Sequence, residues 1–438
     1  MEFFQCRALP NGVILCVYPT QKFKETRMEL YLHQNLDRQT TKTAILPQIL
    51  QRGTKKHPTM KAMERGLSDL YGAVIFNRLF KKGERHFMGL SMSVPSEPYL
   101  RKPEPMLEKN LAFFADLFIS PRLEEGRFLK EYTIQEKKAL EERLESIYND
   151  KQAYAYKRCI ENMCADEEYR RHPYGSSEDI EALDEEILTT YYQTVKKENP
   201  VEIYVLGDVD PEKIYQICCR VFAYPRDGRA VLQPTVNQEA PLVPKEVVEY
   251  EPVKQGKLII GCRTKFTARD PEYFALMMYN QILGGGGHSK LFAEVREKAS
   301  LAYYASSSLE TGKGLLMIQA GIDTQDEHKA KDIIDRQLLD MAEGKITDQE
   351  WQMARETLLE SLDKLGDQPG SLIQLSLNNR LYQRTETLAE IKEKVQSLSR
   401  EEVIYTAREV KKDTVYFLTE PKGGEKGHEH GNNGSSAS

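Results

Sequence analysis

The chain has 438 residues, 40% hydrophobic and 29% charged, with a net charge of −6 and a pI near 5.9. That length supports two or more domains with real cores, and the composition is ordinary for a soluble globular protein. The absence of a long basic block argues against nucleic acid as a partner. No apolar stretch reaches transmembrane length, and Met1-Glu2-Phe3-Phe4-Gln5-Cys6-Arg7 lacks the basic and apolar regions of a secretory signal.

Residues 12–18 alternate as a strand ended by Pro19, and 28–32 form a second strand. Helical spacing covers 43–51 and 61–70. Residues 73–77 read as a strand that Gly83 and its charged neighbours turn into another at 86–92. Helices follow at 106–118 and 124–149, the latter rich in Glu, Lys, Leu and Ala. A buried strand at 202–206 leads through Gly207-Asp208-Val209-Asp210-Pro211 into a helix ending at Phe222. Pro225, Asp227, Gly228, Pro234, Pro241 and Pro244 then punctuate a stretch without periodicity, which marks a boundary. After it the order of elements restarts: a strand at 257–262, a helix at 273–283, a strand at 314–321, helices at 329–343 and 348–365, and a last strand at 416–418. The repeat lies in element order, not in residue identity. The Gly/Ser/Asn-rich end from Pro421 reads as disordered. The expected division is an N-terminal half at 1–224, a linker at 225–245, a C-terminal half at 246–420 and a tail at 421–438.

The seven cysteines are thinly spread. Cys218 and Cys219 are adjacent, and Cys159 and Cys164 are five apart, neither a zinc nor a redox spacing. Reduced thiols in a cytoplasm are therefore expected. The histidines stand at 33, 57, 86, 172, 288, 328, 428 and 430, and none forms an H-x-x-E-H or H-x-x-x-H pair. His428 and His430 sit close together in the tail, where weak metal binding is the most they offer. No nucleophile-plus-base arrangement is legible among Ser, Cys and His.

Several short motifs occur in a fixed order. They are Gly53-Thr54-Lys55-Lys56 after a helix, Leu140-Glu141-Glu142, His172-Pro173-Tyr174-Gly175, Gly207-Asp208-Val209-Asp210-Pro211, and Ile282-Leu283-Gly284-Gly285-Gly286-Gly287-His288-Ser289-Lys290-Leu291-Phe292. The last runs on into Val295-Arg296-Glu297-Lys298 and Leu301-Ala302-Tyr303. Together they resemble the insulinase/pitrilysin (inverzincin) zinc peptidases over about residues 10–420. In that family the helix before the Gly-Thr-Lys turn reads H-x-x-E-H. Here the histidine positions fall on Ala44 and Gln48 and the glutamate position on Pro47. Ala44 offers no ligand atom, and Gln48 offers a neutral amide, a poor zinc ligand beside imidazole. Pro47 cannot act as a base and removes a backbone N–H, so the helix is expected to kink or to start near it. Without the metal an attacking water stays far less acidic than a zinc-bound one.

The resemblance implies an α+β fold of two similar halves, each a mostly antiparallel sheet with helices packed on it. It also implies two chains facing each other around a peptide chamber, with the C-half of one completing the zinc site of the other through an Arg and a Tyr. Those two map to Arg296 and Tyr303, whose expected work is to hydrogen-bond the substrate backbone and the developing oxyanion. Glu142, or Glu141 beside it, maps to the third zinc ligand; taken alone it is a solvated glutamate on a charged helix face. Alone, Arg296 is equally a helix-end charge and Tyr303 a half-buried strand aromatic. Gly284, Gly285, Gly286 and Gly287 do not fit a phosphate-binding P-loop. They read either as a close-packed helix-to-helix turn or as a loop lining the peptide chamber. Residues 73–77 match the substrate-pairing edge strand, and an ordinary charged edge strand explains them as well. The expected function is thus a non-catalytic, cytoplasmic subunit without its own zinc, proteolytic only with an H-x-x-E-H paralogue that carries the zinc. A structural or peptide-binding homodimer is the alternative.

Overall fold

The computed structural model describes residues 4–100 and 105–421. The tail expected after Pro421, with His428 and His430, lies outside the described residues. The chain divides into two compact units. One consists of Met1–Ser146, Arg171–Val236 and Leu362–Glu390; the other consists of Ile147–Arg170, Asn237–Ser361 and Ile391–Ser438.

Each unit is built on one sheet. In the first, β1 (Gln5–Ala8), β2 (Ile14–Pro19), β3 (Glu25–Asn35), β4 (Val74–Lys82), β5 (Arg85–Pro95) and β6 (Val201–Gly207) lie in the order β1-β2-β6-β3-β5-β4. In the second, β7 (Lys245–Tyr250), β8 (Gly256–Thr264), β9 (Ala302–Glu310), β10 (Leu315–Ile322) and β11 (Val410–Thr419) lie in the order β7-β11-β8-β10-β9. With β1 set aside, both sheets run first, last, second, fourth, third in chain order. In both, only the first and last strands pair in parallel. The structure therefore has the expected α+β architecture of two similar halves, and the repeat is one of topology.

The halves are not contiguous in sequence. Residues 147–170 precede the 225–245 stretch yet belong to the second unit, and 362–390 follow it yet belong to the first. Each segment supplies a helix to a sheet face. The Lys151–Met163 helix packs on β8 and β11, and the Pro369–Tyr382 helix packs on β3 and β6, the corresponding pair of strands. A division drawn at 225–245 alone misses both.

Strand alternation sorts the side chains of the first sheet. Met28, Leu30 and Leu32 of β3 and Met88, Leu90 and Met92 of β5 are buried in the main core with Leu111, Phe114, Leu188 and Ile214 from its helices. The opposite face carries Glu29, Tyr31 and His33. There Ile373 and Leu377 cover Tyr31, Phe87 and Tyr204. Glu29 is fully buried and accepts from Arg27 Nε at 3.0 Å, from Ser91 Oγ at 3.2 Å and from the Tyr31 hydroxyl. Gln374 Nε2 donates to the Tyr31 oxygen at 2.6 Å, which docks the helix on this polar centre. In the second unit, Arg263 on β8 donates to Glu167 at 2.5 Å and to Asp413 at 2.7 Å, and fully buried Lys313 pairs with Glu167 at 2.5 Å. These buried charges are balanced two against two, which burial requires.

Three local expectations need correction. The 124–149 helix begins only at Lys130, because Glu125 and Gly126 take left-handed conformations (φ 48° and 80°) in a turn. The thiols are not all reduced: Cys6 and Cys16 face each other across the β1–β2 register and form a disulfide, while Cys159, Cys164, Cys218, Cys219 and Cys262 are free. The helix does not start at Pro47 but runs on from Thr40. Among the described residues no helix is long and apolar enough to cross a membrane.

His33 gives this fold a pH dependence. Its ring packs 4.6 Å from that of Phe87, and Nε2 stands 3.9 Å from a Glu202 oxygen. Burial drives its pKa down to about 4; Glu202 pulls it up, and Arg85 and Arg380 push it down. A histidine whose folded pKa lies below its unfolded one contributes stability in full above about pH 6.5 and loses it as pH falls toward 4. Urea denaturation at stepped pH should therefore show stability falling between pH 6.5 and 4. The slope should be flatter in His33→Phe, by up to roughly 3 kcal/mol over the interval. Equal slopes in the two proteins would show that His33 is not the group responsible.

Candidate functional site

The Thr40–Gln51 helix packs on β4 and β5 and on the Leu107–Ile119 and Glu185–Glu198 helices. Ile45, Leu46, Ile49 and Leu50 are all buried, which fixes the inward face. Pro47 lies on the buried side too and leaves the Thr43 carbonyl without its helical N–H. That turn is braced from outside. Thr43 Oγ1 bonds Tyr191 at 2.8 Å and the Gln39 carbonyl at 3.1 Å, and it also meets the Gln34 amide. Packing and these bonds offset a proline cost of about 3 kcal/mol, so the helix neither stops nor restarts at residue 47.

The motif turns flank this helix. At its start, Thr41 Oγ1 donates to Asp179 at 3.0 Å and accepts from Ser176 N–H at 3.2 Å. Gly175 there, at φ 75°, lies so close to Thr41 that any Cβ would overlap it. At its end, Thr54 is fully buried and bridges Pro121, with Lys55 N–H donating to the Ser120 carbonyl at 2.8 Å. The helix is thus held at both ends by the motif turns. Ala44 is 3% exposed in the core, and Gln48 faces outward. Glu142 is a surface residue paired with Lys138 four positions earlier, and Glu141 beside it is half-buried. Among the described residues no cluster of three His, Cys, Asp or Glu could hold a metal ion. These residues do not fit a zinc ion. Next to this helix, β4 is an edge strand whose Val74 and Phe76 are about half exposed.

The second unit presents a different corner. Gly284 ends the Tyr273–Gly284 helix where a Cβ would overlap the backbone nitrogen and side chain of Ser307 on β9. Gly285, Gly286 and Gly287 are exposed, and a Cβ on Gly287 would meet nothing. Ser289 Oγ then donates to the Gly286 carbonyl at 2.6 Å and begins the next helical segment. That segment, Phe292–Lys298, is a π-helix, a rare form concentrated at functional sites. Its Arg296 is exposed, with the guanidinium 4.8 Å from the centre of the Phe292 ring.

Two further irregularities follow at once. Ser300 takes a left-handed conformation (φ 52°), costly for a residue with a Cβ. Then the β9–β10 register pairs Tyr304 with Gly321 and Ala302 with Ile322, leaving Tyr303 as the extra residue of a bulge. Bulges re-aim side chains next to active sites. Tyr303 is 68% exposed. Bonds from Ala299 N–H to the Glu294 carbonyl and from Leu301 N–H to the Val295 carbonyl, both 3.1 Å, tie the π-helix to the strand start. Arg296 and Tyr303 thus flank one tied corner. The sequence pattern placed both residues; it did not reveal the π-helix, Ser300 or the bulge. The one available signal was Gly321, where a Cβ would overlap the Tyr304 ring.

A family model described as "Peptidase M16 inactive domain" matches residues 182–358, which include this corner. The chain is 35% identical over 423 residues to the probable inactive metalloprotease YmfF of Bacillus subtilis, covering 94% of this chain and 97% of that protein. It belongs to the insulinase/pitrilysin (M16) peptidase family, as a degenerate member. A conserved protein from Enterococcus faecalis superposes with a TM-score of 0.89 at 29% identity, over 95% of this chain and 99% of that one. The ferredoxin protease FusC, solved as a mutant with Arabidopsis ferredoxin, shares the fold with a TM-score of 0.71 at 13% identity. There the alignment covers 96% of this chain and 45% of that one. The positions of this family's zinc helix are taken here by Ala44, Pro47 and Gln48.

The glycine run separates by role in a direct experiment. Gly284→Ala should lower thermal stability by about 2–3 kcal/mol, because backbone and not a flexible side chain blocks the added methyl. Gly287→Ala should leave melting within about 0.5 kcal/mol of the parent. Equal effects at the two positions would contradict the division into a packed glycine and an open turn.

Proposed function

We propose that this chain is the non-catalytic subunit of a heterodimeric peptidase, paired with an M16 paralogue that keeps H-x-x-E-H and carries the zinc. The reading rests on one contrast. The positions matched to the ligands, Ala44 and Pro47, lie in a core, whereas Arg296 and Tyr303 stand exposed on a strained, irregular corner. Strain of this kind persists where function requires it. Arg296 and Tyr303 would reach the partner's site, hydrogen-bond the peptide backbone and stabilise the developing oxyanion. Peptides would be the substrates of the pair, with the chamber of a processing-type peptidase selecting them by size.

A structural or peptide-binding homodimer is the second reading, and the half-exposed Val74 and Phe76 on edge strand β4 favour it. The Cys6–Cys16 bond fits an oxidising compartment and the five free thiols a reducing one. Five of the seven cysteines thus match the reducing setting of a cytoplasm.

In the purified pair, the Arg296→Ala/Tyr303→Phe double variant should lower the partner's kcat on the order of 100-fold while 1:1 assembly, followed by size-exclusion chromatography, is retained. An intact complex with unchanged kcat would rule out the assigned role.

A further inference from the structure

The turn that carries Arg296 is anchored by an ion pair between a buried lysine and a partly exposed glutamate. Lys290 lies two residues before Phe292, is 7% exposed, and holds Nζ 2.7 Å from Oε1 of Glu350. Glu350 stands in the first turn of the Asp348–Gly366 helix. Its other oxygen accepts the Thr347 N–H at 2.8 Å and the Thr347 hydroxyl at 3.0 Å, and Thr347 Oγ1 accepts the Glu350 N–H at 3.2 Å. Burial opposes the charge on Glu350, yet the Lys290 ammonium and the Thr347 donors outweigh it and hold the carboxyl below the usual range. The acceptor is therefore ionised at neutral pH and fixed in place by a helix cap.

This anchor sits where the geometry is most demanding. Leu291 and Val295, both fully buried, seat the apolar side of the same stretch, and Arg296 follows immediately. A π-helical turn is a poor default for a short segment, and relaxation toward α geometry would swing Arg296 about the axis. The Ala299 and Leu301 amides close the far end of the turn, and the Lys290–Glu350 pair fixes the near end. A lysine stem that gives up its rotamer freedom and hydration to reach one carboxylate is costly for a surface turn.

We propose that Lys290, acting through Glu350, is a positioning residue that holds the π-helical turn in the register presenting Arg296 beside Tyr303. The proposal rests on the role assigned to Arg296 and Tyr303 above. Lys290 touches no substrate; it sets the geometry of the residue that does.

The test uses the full chain with Lys290→Met, which keeps the aliphatic stem, Glu350→Gln, which removes the acceptor's charge, and Lys290→Arg as the conservative variant. Hydrogen exchange over residues 291–301 in the isolated chain should speed up roughly tenfold in the first two, with other segments unchanged, and return toward the parent in Lys290→Arg. In the complex with the zinc-carrying partner, kcat should fall about tenfold in Lys290→Met with a smaller change in KM, and recover in Lys290→Arg. Unaltered exchange in both Lys290→Met and Glu350→Gln would overturn the proposal whatever the partner does. Parent-like kcat in Lys290→Met beside a depressed kcat in Arg296→Ala would overturn the positioning role alone. Parent-like kcat in both would overturn the assignment of Arg296 and the proposal with it.

Discussion

The inward face of the Thr40–Gln51 helix is the constraint on which the functional argument depends. Ile45, Leu46, Ile49 and Leu50 must be buried for the first unit to have a core, and Ala44 and Pro47 have joined them. Position 44 is apolar and out of contact with solvent. Restoring a metal would require more than two histidines. A polar side chain at 44 would have to leave the core. The turns at 53–56 and 172–175 tie this helix to its surroundings and serve as structure.

The same physics explains why the fold outlasts the chemistry. Each sheet pairs its last strand in parallel with the first strand of the repeated five, so neither is complete until most of its half has been synthesised. Each also has the face opposite its main helices covered by a helix from a distant part of the sequence, over a buried polar centre at Glu29 in one unit and at Arg263 in the other. Unpaired, those charges would be expensive to bury, so mutations that loosen either helix are penalised independently of any active site.

How much was legible in the sequence follows from where the information lies. The strong alternation in β3 and β5, the periodic helices and the glycine-proline punctuation of 225–245 are local signals, and they were readable. The Lys151–Met163 helix was not, because only Asp150 separates it from the preceding helix. That aspartate caps it by accepting from the Gln152 and Ala153 amides. Strand β7, Lys-Glu-Val-Val-Glu-Tyr, is an edge with half its residues charged and lacks a strand's apolar pattern. The Pro369–Tyr382 helix opens on Pro-Gly, which reads as a break, although proline suits a first helical turn. The Arg400–Arg408 helix carried a readable capping box, Ser399 with Glu402, that went unused. At the site, Arg296 and Tyr303 were found by motif. The π-helix and bulge that present them arise from tertiary contacts at Leu291, Val295 and Gly321, which no window of sequence contains.

The central claim is that this chain works as half of a mixed pair. Native mass spectrometry with metal analysis, on the chain tagged and gently purified from its source cell, tests it most directly. The account predicts a 1:1 complex with a chain containing H-x-x-E-H and one zinc per pair. A zinc-free homodimer or monomer would contradict it.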